Sequence, residues 1–427
     1  MRYLVLLLAC LSLAAHAAMT FTIKDYLQKT WTNELVTYTV KLPASQAKRV
    51  TLIGPDGKAV PVQVTPKGTG TAQVAFIVEE LPADGEVKYT LKAGKPVGGS
   101  LWDMQCDPPQ LTSGVLRLLP SVGTGTLTYT PPVPLSSFPA PIMEVGSPAG
   151  LYGHGKLIGD LPVTRITSTV LADGPVYVEQ QREYLFQGGG YYRLTFRVVK
   201  GQNAVLVREE FDTPKTAAGK ALMTFSLSTN FHPDRVSAAI RTWRQRTDPK
   251  TNALGDDYKL DFDEARKEMS ILGYVNWWPE TARRATFYNS THPNGDTISI
   301  LPANIGWWRN PMGMYVMTEP GGKVRLDLPL YIDQDWVRDG VEWGNPYYTG
   351  KVEAGWPRTA GRRAWVLHVD ARANVFPTAG RSSVLEAVRK YCDLPLDKVK
   401  DWVLDWPADP KVTYPRCSST MTAAVMN

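Results

Sequence analysis

Residues 176–211 read VYVEQQREYLFQGGGYYRLTFRVVKGQNAVLVREEF, and this stretch decides the fold. Three runs rich in β-branched and aromatic residues, at 176–186, 191–199 and 204–211, are separated by the turns QGGG and KGQN. Glycine and asparagine between such runs predict a meander of long antiparallel strands. Strands of this length predict a wide sheet, which needs a second sheet to cover its apolar side.

The same pattern continues on both sides of this stretch. Further runs lie at 163–170, 297–301, 314–318, 324–330 and 363–369. We therefore predict a large β-supersandwich over residues 110–380. Residues 120–160 are rich in proline and glycine, which predicts only short strands there. Residues 232–270 are polar and charged, and we interpret them as a partly helical insertion.

The beginning of the chain predicts a smaller β-structure. Short runs, each followed by Gly, Pro or Asp, lie at 36–40, 50–53, 60–64, 73–78 and 87–91. This close spacing is typical of an Ig-like antiparallel β-sandwich, which we place at residues 20–95. The predicted fold class is therefore mainly β, with a small sandwich followed by a large supersandwich and short C-terminal helices.

The C-terminal part has a different character. Ser383 and Glu386 have the spacing of a capping box, in which each side chain binds the other residue's backbone amide at the start of a helix. We therefore predict a helical linker at 381–416. Residues 417–427 show no periodicity and are predicted to form an irregular tail.

The first residues have the three parts of a secretory signal peptide. Arg2 precedes an apolar run, and Ala15-His16-Ala17 supplies an A-x-A cleavage site. We predict a signal peptide at 1–17 and a secreted or periplasmic protein. The apolar run is shorter than the ~20 residues that span a bilayer, and no later segment reaches that length, so we predict no membrane span.

Charge and cysteine content exclude several classes of function. The net charge of +6 is dispersed without a basic stripe, so we predict no nucleic-acid partner. After Cys10, three cysteines remain, and an odd number cannot form a complete disulfide framework, although a bond between Cys106 and Cys392 stays open. Five histidines without an H-E-x-x-H motif predict no metal site, and we expect no cofactor. Nothing in the sequence decides the oligomeric state.

Two segments carry a resemblance to carbohydrate-active enzymes. GPDGKAVPVQ at 54–63 and ELPADG at 80–85 resemble a β-sandwich that occurs beside glycoside hydrolase and lyase domains in multidomain bacterial enzymes. SGVLR at 113–117 and GGYYRLTFRV at 189–198 resemble a supersandwich of the galactose-mutarotase-like kind. This resemblance implies a polysaccharide or oligosaccharide as the partner of the chain.

Residues 394–416 carry a further resemblance. They resemble the lead-in to the helical toroid of heparinase II/III-like polysaccharide lyases, which is that family's main catalytic domain. The tail follows at 417–427, where the toroid would be expected. The resemblance therefore implies a lyase-like chain that lacks the helical toroid, as a truncated or frame-shifted product would.

One segment offers candidate catalytic residues. Polysaccharide lyases need a base for the C5 proton of a uronic acid, an acid for the leaving oxygen and a group that neutralises the carboxylate. Tyr152 and His154, in the segment LYGHG, combine two suitable side chains with glycines that allow close approach to a ligand. We expect this segment to form a loop, and an ordinary turn is the alternative.

Aromatic side chains crowd the stretch 275–356, and many of them lie beside Gly, Pro, Asn or Asp. Loop aromatic residues next to Arg and Asn suit a sugar-binding surface, because rings stack on the C–H faces of sugars. The predicted substrate-binding residues are Trp277, Trp278, Trp307, Trp308, Arg309, Trp336, Trp343 and Trp356. The alternative is that these rings close the ends of the sandwich.

Three functions remain open from the sequence. The first is the carbohydrate-recognition or scaffold portion of a secreted, lyase-like polysaccharide-degrading enzyme. The second is a self-sufficient lyase or glycoside hydrolase that uses the Tyr/His pair or two carboxylates, for which Asp333, Asp335, Asp339 and Glu342 form a cluster. The third is a structural envelope protein.

Overall fold

The computed structural model describes residues 18–400, apart from gaps within that range. The gaps are 122, 149, 215–219, 228–234, 239–255, 260–268, 271–284, 289–296, 304–314, 320–322, 333–358, 371–386, 388 and 394. The predicted signal peptide, the Ser383–Glu386 capping box and the predicted tail lie outside the described residues.

Seven strands form a small sandwich in the first unit of the chain. This unit consists of the described residues up to Gly99 and also includes Lys400. The strands are β1 Met19–Lys24, β2 Trp31–Lys41, β3 Val50–Ile53, β4 Ala59–Val60, β5 Val62–Pro66, β6 Thr71–Leu81 and β7 Glu86–Ala93. Among the described strands, one sheet has the order β1-β7-β3-β4 and the other has the order β2-β6-β5.

Four aromatic rings fill the interior of the small sandwich. Phe21 and Tyr89 come from the sheet that contains β1 and β7, while Tyr38 and Phe76 come from the paired strands β2 and β6. The ring centroids of Phe21 and Tyr38 are 4.6 Å apart, and those of Phe76 and Tyr89 are 4.7 Å apart. Such contacts join the two sheets, because each ring buries a large apolar area against the opposite face.

A buried carboxylate holds the turn between β1 and β2. Asp25 Oδ1 accepts hydrogen bonds from the Leu27 amide at 3.0 Å and from the Trp31 indole at 2.9 Å. Asp25 Oδ2 accepts from the amides of Lys29 and Asp84, both at 2.9 Å. One side chain therefore fixes the turn to the loop before β7.

The second unit, from Ser100 to Val399, contains a large sandwich. Its strands are β8 Trp102–Asp103, β9 Gln110–Thr112, β10 Arg117–Pro120, β11 Gly125–Pro134, β12 Ile142–Ser147, β13 Gly150–Ile158, β14 Pro162–Ala172, β15 Tyr177–Phe186, β16 Tyr191–Val199, β17 Ala204–Thr213, β18 Lys220–Leu227, β19 Arg235–Ala238, β20 Asp256–Lys259, β21 Met269–Ser270, β22 Ala285–Tyr288, β23 Thr297–Ala303, β24 Tyr315–Glu319, β25 Lys323–Ile332 and β26 Thr359–Asp370. Short helical turns lie at Leu135–Ser137, Arg389–Asp393 and Leu396–Val399.

Two sheets of described strands make up this sandwich. The larger has the order β11-β14-β15-β16-β17-β26-β23-β22-β19-β20, and the smaller has the order β21-β24-β25-β18-β13-β12-β10-β9-β8. Apolar residues of both sheets form one core, in which the Tyr192 hydroxyl contacts Met223 Sδ at 3.1 Å. The predicted mainly β fold class is confirmed.

The prediction of only short strands over residues 120–160 is wrong. β11 has ten residues and β13 has nine. Glycines suggested turns here, yet Gly153 and Gly155 lie inside β13 for another reason. A Cβ at Gly153 would collide with the Phe225 ring, and one at Gly155 would collide with the Ile142 carbonyl oxygen. Both are positions of close packing, which is a second use of glycine in strands.

The predicted insertion at 232–270 is only partly within the described residues. β19, β20 and β21 lie in it, and all three are strands. The helical part of that prediction is not found among these residues and otherwise falls outside the described chain. Among the described residues, no helix has the length and apolar character needed to cross a membrane.

Candidate functional site

The predicted catalytic residues lie in a strand. β13 pairs with β12 on one side and with β18 on the other, so the expectation of a loop at residues 151–155 is wrong. The Tyr152 side chain is buried in the core, and its hydroxyl lies 2.9 Å from Ser147 Oγ in a hydrogen bond. His154 is exposed, opposite Glu144 and Ser226. A catalytic role for the pair stays a prediction.

We expect Tyr152→Phe to lower the free energy of unfolding by about 1 kcal/mol, the usual net value of one buried hydrogen bond. The ring would stay in the core, and the bond with Ser147 would be lost. Urea unfolding of the whole chain measures the change, with exposed His154→Ala as the control that should differ little from wild type. Equal midpoints for Tyr152→Phe and wild type would show that the hydroxyl has no structural role.

The predicted substrate-binding aromatic residues and Arg309 lie outside the described residues, as do the four carboxylates at 333–342. The strands on either side of the aromatic segments are described. Trp277 and Trp278 fall between β21 and β22, Trp307, Trp308 and Arg309 fall between β23 and β24, and Trp336, Trp343 and Trp356 fall between β25 and β26. Each of these connections leads from one sheet to the other.

In the larger sheet, the strand ends that flank these three connections all lie at the same end of the sheet, as the strand register shows. Ala303, the last residue of β23, pairs with Ala364 near the start of β26. β22 is antiparallel to β23, so its first residue, Ala285, lies at the same end. The first residue of β26, Thr359, pairs there with Thr213, the last residue of β17.

The smaller sheet shows the same arrangement. β24 starts with Tyr315, which pairs with Asp327 in the second half of β25, and β21 ends beside Met317 of β24. The Thr213 hydroxyl donates a 2.9 Å hydrogen bond to the Leu330 carbonyl oxygen and thereby joins the two sheets. We call this end of the sandwich, marked by Thr213 and Leu330, the Thr213 end. All three aromatic connections leave and re-enter the sheets at the Thr213 end.

Tyr152 lies away from the Thr213 end. β18 starts at that end with Lys220, which pairs with Ile332. Its last residue, Leu227, pairs with Gly153, the neighbour of Tyr152. Seven residues of strand span roughly 23 Å at about 3.3 Å per residue. Tyr152 therefore does not share a site with the strand ends that carry the aromatic connections.

A buried ion pair in the large sandwich was missed by the sequence analysis. The Glu209 and Arg363 side chains are both 0% exposed. Arg363 Nε donates to Glu209 Oε2 at 2.8 Å, and the Trp365 indole donates to the same oxygen at 2.7 Å. The Tyr192 hydroxyl and the second guanidinium nitrogen donate to Oε1 at 2.9 and 3.1 Å. The sequence of β17 does indicate that Glu209 is buried. Glu209 lies two residues from each of the buried residues Val207 and Phe211, so its side chain is on the same inward face.

This cluster has the properties of a structural group. Burial, and next the Glu209 carboxylate, raise the pKa of Tyr192 well above its usual value, so its hydroxyl remains a donor. Both carboxylate oxygens of Glu209 are taken up by donors of the protein. The cluster can therefore hold β16, β17 and β26 in register, and it offers no exposed group for chemistry on a substrate.

The C-terminal helical turns cover part of the outer face of the larger sheet. Ala387 and Cys392 pack with Ala204, Leu301 and Val366. The Tyr391 hydroxyl donates to Asn203 Oδ1 at 3.1 Å, and the Asn203 amide nitrogen lies 3.1 Å from His368 Nε2. His368 is a buried residue of β26, and its hydrogen bond to Asn203 is long-range in sequence.

The two cysteines left open by the sequence are thiols and do not form a disulfide. Cys106 Sγ contacts Asp103 Oδ2 at 3.4 Å, and this hydrogen bond raises the pKa of the thiol. Cys392 Sγ lies 3.9 Å from the Leu301 carbonyl oxygen. Within the described ranges, no group of His, Cys, Asp and Glu side chains is arranged to hold a metal ion.

Comparisons with known proteins give a likeness of fold alone. The chain matches no family model, and no curated protein matches it. It is similar to an alpha-mannosidase from Enterococcus faecalis V583, with 11% identity and a TM-score of 0.45 over 87% of this chain and 44% of that one. A glycosyl hydrolase family 38 protein from Enterococcus faecalis has the same identity, score and coverage of this chain, and 46% of it is covered.

The chain therefore spans less than half the length of these two structures. The heparinase II/III-like resemblance is not confirmed by these comparisons and stays a prediction. What the described residues define is a class of architecture, a small antiparallel sandwich followed by a large two-sheet sandwich.

Proposed function

We propose that this chain is the carbohydrate-recognition portion of a secreted polysaccharide-degrading enzyme, and that it binds glycan at the Thr213 end. One observation carries the proposal. Three separate connections, which together hold seven tryptophans and Arg309, all leave and re-enter the described sheets at that end.

Rings at such a place suit glycan binding for physical reasons. Connections carried by a rigid sheet are the usual position of binding residues. Tryptophan presents a broad apolar face to the C–H groups of a sugar, while a neighbouring arginine can hydrogen-bond its hydroxyl or carboxylate groups. Several tryptophans in connections that leave the same end of the sheets suit an extended chain of sugars better than a single small molecule.

A recognition role fits the described residues better than a self-sufficient enzyme that uses Tyr152 and His154. Tyr152 is buried and bonded to Ser147, and it lies at the other end of β18 from the Thr213 end. A general base must come within hydrogen-bond reach of the proton that it removes. Glycan bound at the Thr213 end would not bring a sugar to this hydroxyl.

A panel of acidic and neutral polysaccharides tests the proposal, with binding to the purified chain measured by isothermal titration. We expect at least one glycan to bind, and we expect Trp307→Ala/Trp308→Ala to weaken it about tenfold. Loss of two stacking contacts at about 0.5–1.5 kcal/mol each corresponds to a change of that size.

Tyr26→Ala is the matched control, since it removes a half-buried aromatic ring of the small sandwich. It should change the affinity less than twofold. A panel in which no polysaccharide binds would overturn the proposal and favour a structural envelope protein. An unchanged affinity in the double variant would place the binding surface elsewhere.

A further inference from the structure

The larger sheet has an open edge at β11. Among the described strands, β11 pairs with β14 alone and ends the sheet. Leu127 of β11 lies opposite Ile166, a core residue, so it occupies a row whose side chains face the other sheet. Leu127 is nevertheless 60% exposed. The inner face of β11 is therefore open to solvent at Leu127.

Two polar side chains point into the sandwich from β15, the third strand counted from this edge. Val178, Gln180, Arg182 and Tyr184 occupy every second position of β15, so their side chains lie on the same face of the sheet. Val178 and Tyr184 belong to the core, which shows that this is the inner face. Gln180 is 4% exposed and Arg182 is 8% exposed. Gln180 Oε1 and Arg182 Nε have no hydrogen-bond partner among the described residues. Buried polar atoms are nearly always bonded, so two unbonded atoms on one strand point to a missing partner.

A row of aromatic rings leads from the open edge to Arg182. Tyr129 and Phe138 are partly buried, with ring centroids 5.0 Å apart. Phe138 lies 6.4 Å from the ring of Tyr184, and the Arg182 guanidinium lies 5.5 Å from the same ring. The entrance is thus apolar and aromatic, and the inner end is cationic.

The chemistry of the unbonded atoms defines the ligand. Arg182 Nε is an N–H donor of a guanidinium group, for which a carboxylate oxygen is a strong acceptor. Gln180 Oε1 accepts a hydrogen bond, as from a hydroxyl group. The flat rings of Tyr129 and Phe138 suit the C–H face of a pyranose.

We propose that the β11 edge holds a second binding site, in which Arg182 binds the carboxylate and Gln180 a hydroxyl group of a uronic acid. The site goes beyond the function proposed above, because it uses neither the Thr213 end nor its aromatic connections. Arg182 lies opposite Leu194, and Leu194 lies opposite Glu209 of β17. Arg182 is therefore level with Glu209, which is four residues before Thr213 in β17.

Isothermal titration of the full chain with D-glucuronate tests the site. We expect saturable binding, with D-glucose and acetate each at least tenfold weaker because each lacks one of the two recognised groups. Arg182→Gln should weaken glucuronate at least tenfold. Arg165→Gln removes the same charge from an exposed position on the neighbouring strand β14 and should change the affinity less than twofold.

A second pair of variants covers the case in which Arg182→Gln does not fold. Leu127→Glu places a like charge at the entrance and should weaken glucuronate at least tenfold. Thr128→Glu places the same charge on the opposite face of β11 and should have less than a twofold effect. The proposal is overturned if folded wild-type chain shows no saturable glucuronate binding, if acetate binds equally well, or if both Leu127→Glu and Thr128→Glu bind as wild type does.

Discussion

Glu209→Ala is expected to lower the free energy of unfolding of the large sandwich by about 3–5 kcal/mol, the cost of breaking one partner out of a buried ion pair. The variant leaves the Arg363 guanidinium fully buried without its carboxylate. It also removes the acceptor for the Trp365 indole and for the Tyr192 hydroxyl. Amide hydrogen exchange in β17 measures this change, since it reports on the large sandwich separately from the small one.

Glu210→Ala is the matched control for this prediction. Glu210 is the next residue of β17, on the outer face, where it forms a 3.1 Å ion pair with Arg193 and its side chain is about half exposed. An exposed pair of this kind contributes about 0–1 kcal/mol. Equal losses of protection in the two variants would contradict a special role for the buried pair.

Asp25→Ala is expected to lower the free energy of unfolding of the small sandwich by about 2–4 kcal/mol, because four donors lose their charged acceptor. Three of them are backbone amides and the fourth is the indole of Trp31. Amide exchange in β2 and β6 provides the measurement. The control is Asp56→Ala, since Asp56 accepts from the Lys58 amide in an exposed turn. A loss no larger than that of the control would contradict the account of the turn.

Asp25 also predicts a dependence of stability on pH. Burial acts to raise the pKa of this carboxyl, but the hydrogen bonds from Trp31 and from the amides of Asp84, Leu27 and Lys29 outweigh it and lower the pKa. Because the pKa of Asp25 is lower in the folded state, its ionised carboxylate stabilises the fold at pH values above the unfolded-state pKa of about 4. This contribution is lost as the pH falls through the folded pKa.

Unfolding of the small sandwich between pH 6 and pH 2 tests this dependence. Wild type should lose stability below about pH 4, where the unfolded carboxyl begins to bind its proton. Asp25→Asn cannot titrate at this position and should lose less stability over the same range. Parallel curves for the two proteins would show that other carboxyl groups cause the acid sensitivity.

The meander of the large sheet could be predicted from the sequence almost residue by residue. The predicted run at 191–199 coincides with β16, and the run at 176–186 differs from β15 by one residue. The turns explain this success. Gly188, Gly189 and Gly190 all have positive φ angles, which glycine adopts at little cost and other residues do not.

Glycine in β13 could not be interpreted in the same way. Gly153 is required because of Phe225 and Gly155 because of Ile142, and both neighbours come from other strands. Short-range sequence patterns do not show which strands will pair. The same limit applies to Glu209, whose inward position follows from alternation while its partner, Arg363, lies 154 residues away.

The placement of the candidate binding surface also needed the sheet register. The sequence indicated that aromatic residues crowd 275–356, but their three segments are separated by β22 to β25. The strand pairings within each sheet, together with the Thr213–Leu330 hydrogen bond between the sheets, show that the flanking strand ends meet at the Thr213 end.

Hydrogen exchange of the whole chain, with and without the glycan that binds most tightly, tests the central claim most directly. The account predicts slower exchange in peptides from the Thr213 end, such as residues 330–332 and 359–361. It predicts no change in the turns at the other end of the larger sheet, at 172–177 and 199–204. Slower exchange confined to those turns or to the small sandwich would contradict it.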